Sequence, residues 1–374
     1  MGFILEREDF DAFLTGATLY GTGGGGEAEW GRVIMDNDYD KGRRYEFVAP
    51  EDVPDDAFVC SGGIMGSVKS LDDLSYTGIV GEWESDFPLV NAIRAMEEFK
   101  GRKVDYLIPF EIGGLNSPVI FSAAARLGIP CIDGDAVGRS APETHMTSFI
   151  GNGVDLYPMP VVDRYGNATI VIHSDSPTYA DELGRVIVVK GGGMGANAHY
   201  PMTGAQLKEA CVPHILSKGL EIGKMLLAAG GDGPKAISDF MRAEQGLELF
   251  KGSISSIEGV DKGGFYLTDV EIEGLEAYRG QTAKLVIKNE SMALWIDGKI
   301  RVMFPDYIFM MDSQTGPGLP SIELFQGTEL TLVGAPCAPP VRRALKSPAA
   351  RLSMGPARYG YSELEYIPFD QLNP

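Results

Sequence analysis

Two groups of polar residues follow apolar runs in the first half of the sequence, and together they contain the residue types that acid–base chemistry requires. The runs are Val104–Pro109 and Ile129–Ile132. The polar residues are Glu111 and Asn116 after the first run, and Asp133, Asp135, Arg139 and Glu143 after the second. Carboxylates can take up and release protons, while a guanidinium or an amide can stabilise negative charge. We expect the five charged residues to take part in catalysis and Asn116 to bind the substrate.

The elements around these groups predict that they meet. Helical patterns at Phe87–Phe99 and Ser117–Leu127 precede the two runs, so strand, helix and strand alternate as in a unit with parallel strands. In an open sheet of this kind, ligands bind in the crevice outside the carboxyl ends of the strands. The alternative is structural: the aspartates cap helices, Arg139 neutralises them, and residues 113–116 form a turn.

The spacing Asp133-x-Asp135 also resembles a pair of ligands for a hard divalent metal ion. His145 is the histidine nearest to this pair in sequence, so a bound metal would use these three residues. The four histidines show neither a His-x-x-x-His nor a Cys/His zinc spacing. A route without a metal is at least as compatible with the sequence, which therefore leaves the metal unknown.

A run of glycines, Gly21–Gly26, separates two helical patterns near the N-terminus. Glycine lets the backbone approach a ligand closely, and the N–H groups that enter the next helix can bind an anion. We expect no nucleotide cofactor, because no strand precedes the run and no Gly-Lys-Ser/Thr sequence ends it. The run is either a tight turn or a loop in which Gly23, Gly24 and Gly25 bind a carboxylate or carbonyl of a small substrate.

The pattern changes to short β-type runs from Leu247 onward, with Gly, Asp and Pro turns between them. These runs predict a sandwich or barrel. The preceding segment Pro177–Ala229 has a mostly helical pattern, interrupted at Gly191–Gly195. The sequence thus predicts an α/β N-terminal domain over residues 1–175 and a mostly β C-terminal domain over residues 176–374, joined by a helical segment.

Three polar residues of the second half lie between these β-type runs or at their boundaries. They are Asn289, Glu290 and Asp306. Asn-Glu and Pro-Asp sequences at such positions form either turns or loops that close over the crevice of the other domain. In the second case these residues bind the substrate.

Charge and composition limit the classes of partner. The formal net charge is −20, and glycine accounts for 48 of the 374 residues. So negative a chain repels nucleic acid and anionic lipid, which leaves a small molecule as the expected partner. The four scattered cysteines and the absence of a signal-peptide pattern or an apolar run of membrane length predict a cytoplasmic location. A homo-oligomer is expected only from its general frequency.

These stretches, in this order, resemble the DUF917 family, which is described as S-methyl-thiohydantoin desulfurase-like. The matching signatures are Gly21–Gly26, Glu111-Ile-Gly-Gly-x-Asn116, Asp133-x-Asp-x-x-Gly-Arg-x-x-Pro-Glu143, Asn289-Glu290, Pro305-Asp306 and Arg358-Tyr-Gly-Tyr361. The resemblance covers roughly residues 8–370. The chain departs from the family pattern at Ser67–Asp86, where Glu82 or Glu84 is expected to replace a carboxylate, and at Arg342.

The resemblance implies an α/β domain followed by a β domain, with the site between them. It also implies the removal of sulfur from a thiohydantoin ring to leave a hydantoin, or a related hydantoinase-like hydrolysis. In this hypothesis a carboxylate, which is Glu111, Asp133 or Asp135, takes a proton from water. The charge of the tetrahedral intermediate is stabilised by Arg139, Asn116 or glycine N–H groups. Glu143 then protonates the leaving atom. The alternative is a protein that binds a small ligand without turnover, or a regulatory partner of a hydantoinase-type enzyme.

Overall fold

The computed structural model describes residues 2–66, 75–262 and 265–374 of the chain. Parts of the predicted turn at residues 261–264 and of the divergent segment 67–86 lie outside the described residues. The strands are β1 (Phe3–Leu5), β2 (Tyr45–Val48), β3 (Phe58–Gly66), β4 (Tyr106–Pro109), β5 (Cys131–Ile132), β6 (Gly134–Asp135), β7 (Met159–Asp163), β8 (Ala168–Val171), β9 (Met194–Thr203), β10 (Val212–Pro213), β11 (Leu247–Lys262), β12 (Phe265–Gly274), β13 (Thr282–Lys288), β14 (Glu290–Ile296), β15 (Lys299–Met303), β16 (Tyr307–Asp312) and β17 (Glu329–Ala335). The helices are α1 (Phe10–Tyr20), α2 (Ala28–Asp40), α3 (Tyr76–Glu82), α4 (Pro88–Lys100), α5 (Asn116–Leu127), α6 (Ser148–Gly151), α7 (Tyr179–Lys190), α8 (Gly204–Ala210), α9 (Ile215–Ala228), α10 (Gly233–Glu244), α11 (Pro339–Ala344), α12 (Pro348–Met354) and α13 (Phe369–Leu372).

The N-terminal part of the chain forms a mixed sheet with the strand order β1-β2-β5-β4-β3-β9-β7-β8. The neighbours from β2 to β3 are parallel, and the other pairs are antiparallel. Helix α5 connects β4 to β5, and Leu107 pairs with Cys131 in parallel register. This confirms the predicted strand–helix–strand unit. The carboxyl ends of β4 and β5, which Glu111 and Asp133 follow, therefore lie at the same edge of the sheet.

The predicted helical segment between the domains is not confirmed. Strand β9 lies inside it and pairs with β3 on one side and β7 on the other, so the prediction of helix over residues 196–203 is wrong. Small residues such as Ala196 and Ala198 have little preference for strands, and here the pairing with two neighbouring strands decides the conformation. Helix α9 packs along α1, where Gly16 lies against the backbone of Gly219.

The C-terminal part forms an antiparallel sheet with the order β15-β14-β13-β12-β11-β17-β16. This confirms the β-type runs predicted from residue 247 onward. The sheet curls, and this brings β14 close to β16: the Ser291 hydroxyl in β14 donates a hydrogen bond of 2.8 Å to the Ile308 carbonyl in β16. Its concave side encloses an apolar core that includes Phe250, Leu285 and Leu332.

The glycine run joins the two parts of the molecule. The Thr22 carbonyl accepts a hydrogen bond of 2.9 Å from the Ser291 N–H, and the Gly23 carbonyl accepts one of 2.7 Å from the Ser321 N–H. Gly23 has a φ of +100° and Gly25 one of +79°, values that L side chains rarely adopt. The run therefore fixes the C-terminal sheet beside the edge where β3 and β4 end, and the binding of a substrate by Gly23, Gly24 and Gly25 stays a prediction.

Candidate functional site

A cleft of about 1170 Å³ lies between the two domains. The lining residues that precede residue 175 are Gly23, Gly24, Gly25, Gly26, Trp30, Glu111, Asn116 and Glu143. Strand β9 of the same mixed sheet adds Asn197 and His199, and the C-terminal part of the chain adds Tyr266, Asn289, Glu290 and Ser321. Apart from the glycines, the structure thus brings together five predicted residues from the two halves of the chain: this cleft unites Glu111, Asn116 and Glu143 with Asn289 and Glu290. It is large enough for a small cyclic molecule.

Glu111 and Glu290 form a pair of buried carboxyl groups in this cleft, with exposed fractions of 4% and 3%. Glu111 accepts hydrogen bonds from the Asn116 side-chain amide, at 2.5 Å, and from the Ala141 N–H. Burial, and then the charge of Glu290, raises the pKa of Glu111 well above its usual value. Since two such groups cannot both ionise at low cost, the pair retains a proton near neutral pH.

Glu290 is held against the glycine run. Burial raises the pKa of Glu290 to about 8, although Arg139 and the Gly25 N–H act in the opposite direction. Its Oε2 atom has no hydrogen-bond partner in the described part of the chain. A Cβ atom on Gly24 would collide with the Glu290 carboxyl group, so any other residue there would displace that group. The absence of a side chain at Gly24 therefore lets the backbone lie close to a side chain of the protein itself, the Glu290 carboxyl group.

Glu143 belongs to a separate ionic cluster in the wall of the cleft. Its carboxylate contacts Lys288 Nζ at 2.5 Å, His145 Nε2 at 3.2 Å and the guanidinium of Arg358. Burial tends to raise the pKa of Glu143, but His145, Arg358 and Lys288 together lower it below its usual value. Glu143 is therefore ionised at neutral pH, and its negative charge is compensated by the cations around it.

Asp133 and Asp135 lie outside the residues that line the cleft. Asp133 accepts hydrogen bonds from the N–H and the hydroxyl of Ser217, at 3.0 and 2.7 Å, in the first turn of α9. Asp135 accepts three backbone N–H bonds, from Ile112 at 2.8 Å, Val137 at 3.0 Å and Gly138 at 2.6 Å. These contacts agree with the structural alternative for the two aspartates, in which they cap a helix and hold a loop.

Burial raises the pKa of Asp135 to about 7, against the effect of its three N–H partners. Because Ile112 follows Glu111 directly, the Asp135 carboxyl group fixes the loop that carries Glu111. It is a positioning residue for that loop.

The predicted metal ligands are not brought together. Asp133 faces α9, Asp135 is surrounded by backbone N–H groups, and His145 contacts Glu143. Across residues 2–66, 75–262 and 265–374, no group of three or more His, Cys, Asp or Glu side chains is placed to hold a metal ion. The residues proposed for a divalent metal therefore do not fit one.

Arg139 and Asp306 connect the domains behind the cleft. The buried Arg139 guanidinium donates to the carbonyls of Asp306 and Ser291, at 2.8 and 2.6 Å. Burial lowers the pKa of Arg139 to about 10, a value at which it still carries its charge at neutral pH. The Asp306 carboxylate accepts the N–H groups of Cys337 and Phe369, at 2.7 and 2.8 Å. Neither residue lines the cleft, although the charge of Arg139 acts on Glu290.

Asn289 lines the cleft, but its side chain forms a hydrogen bond within the local turn. It has a φ of +59°, a conformation that Asn tolerates better than most residues. Its Oδ1 atom accepts the Tyr266 N–H at 2.8 Å, and its carbonyl accepts the Ser321 hydroxyl at 2.6 Å. Asn289 therefore shapes the turn between β13 and β14 that presents Glu290.

Comparison with known proteins agrees with this architecture. The model of the S-Me-THD-like N-terminal domain matches residues 8–173, and that of the S-Me-THD-like C-terminal domain matches residues 174–369. The chain belongs to the S-Me-THD-like family. This confirms the resemblance stated from the sequence motifs.

The S-Me-THD-like fold is also present in a protein from Chromobacterium violaceum whose crystal structure is known. The two proteins are 24% identical with a TM-score of 0.76, over 98% of this chain and 100% of that one. At this identity the likeness shows the fold alone. No curated protein matches the chain.

Three residues at which the chain departs from the S-Me-THD-like pattern, Glu82, Glu84 and Arg342, are not among the residues that line the cleft. Glu82 pairs with Arg164 at 3.0 Å, and Glu84 with Arg43 at 2.7 Å, so neither replaces a carboxylate in the cleft. Arg342 contacts Asp306 at 3.2 Å. Within the described residues, no helix of this protein is long and apolar enough to cross a membrane.

Three further features in or beside the cleft have no assigned role in the sequence-based hypothesis. Asn197 and His199 come from β9. Their spacing of two residues is the side-chain period of a strand, and this spacing could have predicted that both lie on one face. Trp30 stacks on Tyr76 with 5.2 Å between ring centroids and forms an apolar wall. Lys288 precedes the predicted Asn-Glu pair, yet only the tertiary fold places it beside Glu143.

Proposed function

We propose that this S-Me-THD-like protein hydrolyses a small cyclic imide or amide of the thiohydantoin or hydantoin type. The observation that carries the proposal is the pair Glu111 and Glu290 in the interdomain cleft, because two buried carboxyl groups with raised pKa values can share one proton. The family points to the ring chemistry, and the pair supplies a base and an acid. A small molecule is the only partner that the reaction requires besides water.

Glu111 is the base in this proposal. Its two oxygens accept N–H bonds from Asn116 and Ala141, an arrangement that favours the ionised form and fixes its position. While Glu290 carries the shared proton, its charge no longer raises the pKa of Glu111, and burial is the main effect that these N–H bonds oppose. Water then attacks the ring carbon, a C–O bond forms, and Glu111 takes one proton of the water.

Glu290 is the acid. Its unpaired Oε2 and its pKa of about 8 favour the protonated form at neutral pH. In an S-methyl ring the π pair of the C=N bond moves to the ring nitrogen as water adds, and that nitrogen takes the proton from Glu111. The C–S bond then breaks, the sulfur leaves as a thiol with the bonding pair and the proton of Glu290, and Glu290 recovers a proton from the new hydroxyl as the carbonyl forms. In a 2-thioxo ring the π pair of the C=S bond moves to sulfur instead, which takes the protons of both Glu111 and Glu290 and leaves as hydrogen sulfide. We assign this role to Glu290 because Glu143 is ionised.

The remaining groups bind and orient the ring. The Asn116 amide, which holds Glu111, has a second N–H, and Trp30 and Tyr76 provide an apolar face. Arg139 acts on the cleft through its charge, because its N–H groups already bind carbonyls of the C-terminal domain. No step is derived through a metal, since the residues considered for one do not fit.

The test is incubation with 2-thiohydantoin and its S-methyl derivative, followed by ultraviolet absorbance and by a thiol-reactive dye. We expect turnover by the wild type, and a loss of about 10²-fold or more in both Glu111→Gln and Glu290→Gln. Asp133→Asn serves as the matched control, because it changes a buried carboxylate outside the cleft. Product analysis distinguishes loss of sulfur from opening of the ring at a C–N bond.

Tight binding of the ring by the wild type without turnover would contradict the enzyme and favour the non-catalytic alternative. Full activity in both glutamine variants would contradict the roles of Glu111 and Glu290 while leaving hydrolysis in place.

A further inference from the structure

Two side chains of β9 line the cleft but have no part in the proton transfers described above. Asn197 and His199 are two residues apart in an extended strand, so both lie on the same face of the sheet. Their exposed fractions are 3% and 2%. The Nδ1 atom of His199 has no hydrogen-bond partner among the residues that the structure describes. A buried nitrogen without a partner is costly, and a bound ligand can relieve that cost.

The surroundings of His199 keep its imidazole neutral. The ring contacts Phe110 and Tyr200 edge-on, with centroid distances of 5.7 and 5.0 Å. Burial lowers the pKa of His199 to about 3, although the charge of Asp181 acts in the opposite direction. A neutral imidazole has one N–H and one lone pair, so it suits an uncharged partner with complementary hydrogen-bonding atoms.

We infer that His199, together with Asn197, is a specificity-determining residue that recognises the imide edge of the substrate ring. The inference rests on the proposed function, because it takes a hydantoin-type ring as the ligand. An imide edge presents an N–H flanked by two carbonyl-type groups. The imidazole lone pair accepts that N–H, and the Asn197 amide donates to a neighbouring carbonyl oxygen.

The test is isothermal titration calorimetry with hydantoin and with 3-methylhydantoin, which has lost the N–H between the carbonyls. We expect the wild type to bind hydantoin at least tenfold more tightly than the methylated ring. His199→Phe keeps an aromatic ring against Phe110 but has no nitrogen. This variant is expected to lose about tenfold in affinity for hydantoin and less than twofold for 3-methylhydantoin.

The matched control is His173→Phe, because the His173 side chain is 76% exposed and pairs with Asp175 on the surface. It is expected to keep the wild-type preference. An unchanged preference in His199→Phe, or no preference in the wild type, overturns the inference. If His199→Phe does not fold, Asn197→Leu is measured instead; we expect a loss of about tenfold for hydantoin, and unchanged affinity overturns the inference.

Turnover of thiohydantoin is measured on the same wild-type preparation, so that the two proposals fail separately. Turnover without preference for the unmethylated ring overturns the role of His199 and leaves hydrolysis standing. Selective binding that depends on His199, without turnover, supports recognition by His199 and overturns hydrolysis.

Discussion

Glu290 differs from the other carboxylates of the cleft because one of its oxygens lacks a partner among the described residues and its pKa is raised to about 8. An acid of this kind is active while protonated, so turnover should fall as pH rises through about 8. The base Glu111 must be ionised, so turnover should also fall at acidic pH, below the raised pKa of that group. A bell-shaped profile of kcat/KM against pH is therefore expected.

The Glu290→Gln variant tests whether Glu290 causes the alkaline limb of this profile, which is the fall in turnover above about pH 8. Glutamine has a similar shape and does not titrate, so the residual activity should show no decline near pH 8. Asp312→Asn, in the C-terminal sheet, provides a carboxylate control in which the limb is retained. Persistence of the limb in Glu290→Gln would show that another group causes it.

Gly24 has a steric role that a single substitution can measure. A Cβ atom at this position would collide with the Glu290 carboxyl group, which must then move. We expect Gly24→Ala to lower kcat/KM by about tenfold or more, because displaced catalytic groups lose their alignment. Gly81→Ala in α3 is the control: no atom lies within 4 Å of its Cβ, and alanine favours the helix by up to about 1 kcal/mol.

At the scale of elements, Asp133 compensates for a helix that lacks a side-chain cap of its own. His214 precedes α9 with a φ of +60° and makes no capping hydrogen bond, whereas Asp133 accepts the Ser217 N–H at 3.0 Å. We expect Asp133→Ala to lower the free energy of unfolding by about 1–2 kcal/mol. Turnover should stay within twofold of the wild type.

Chemical denaturation and steady-state kinetics measure the two effects of Asp133→Ala. The exposed Asp175 provides a control, since its replacement by alanine should change neither quantity. If folded Asp133→Ala protein lost as much turnover as Glu111→Gln, Asp133 would have a catalytic role and the structural role would be contradicted.

At the scale of the whole molecule, Arg139 holds the two sides of the cleft together. One guanidinium binds the carbonyls of Asp306 and Ser291, and it lies 5.0 Å from the centroid of the Phe304 ring. Lysine keeps the charge but cannot reproduce this planar arrangement of donors. We expect Arg139→Lys to lower the free energy of unfolding by about 2–3 kcal/mol and to reduce turnover.

Denaturation curves of Arg139→Lys and of Arg343→Lys provide the comparison. Arg343 donates to the Glu209 carbonyl at 2.9 Å in an exposed position, so its replacement should cost less than about 0.5 kcal/mol. Equal costs for the two variants would contradict the connecting role of Arg139.

Much of the local structure follows from the sequence alone. The apolar periodicities correctly predict the strand–helix–strand unit of β4, α5 and β5, and the β-type runs after residue 247. Strand β9 is the exception, because its small residues have no strong preference and its conformation depends on pairing with β3 and β7. The ordered motifs also indicate the family and several members of the cleft.

The direction of each side chain is decided only by the tertiary structure. Asp133 and Glu111 follow neighbouring parallel strands, yet one carboxylate faces α9 and the other faces the cleft. The partner of Glu111 is Glu290, which lies 179 positions later in the sequence and comes close through the fold of the second domain. Sequence determines residue types and local periodicity, whereas burial and long-range contact determine which carboxyl groups act on each other.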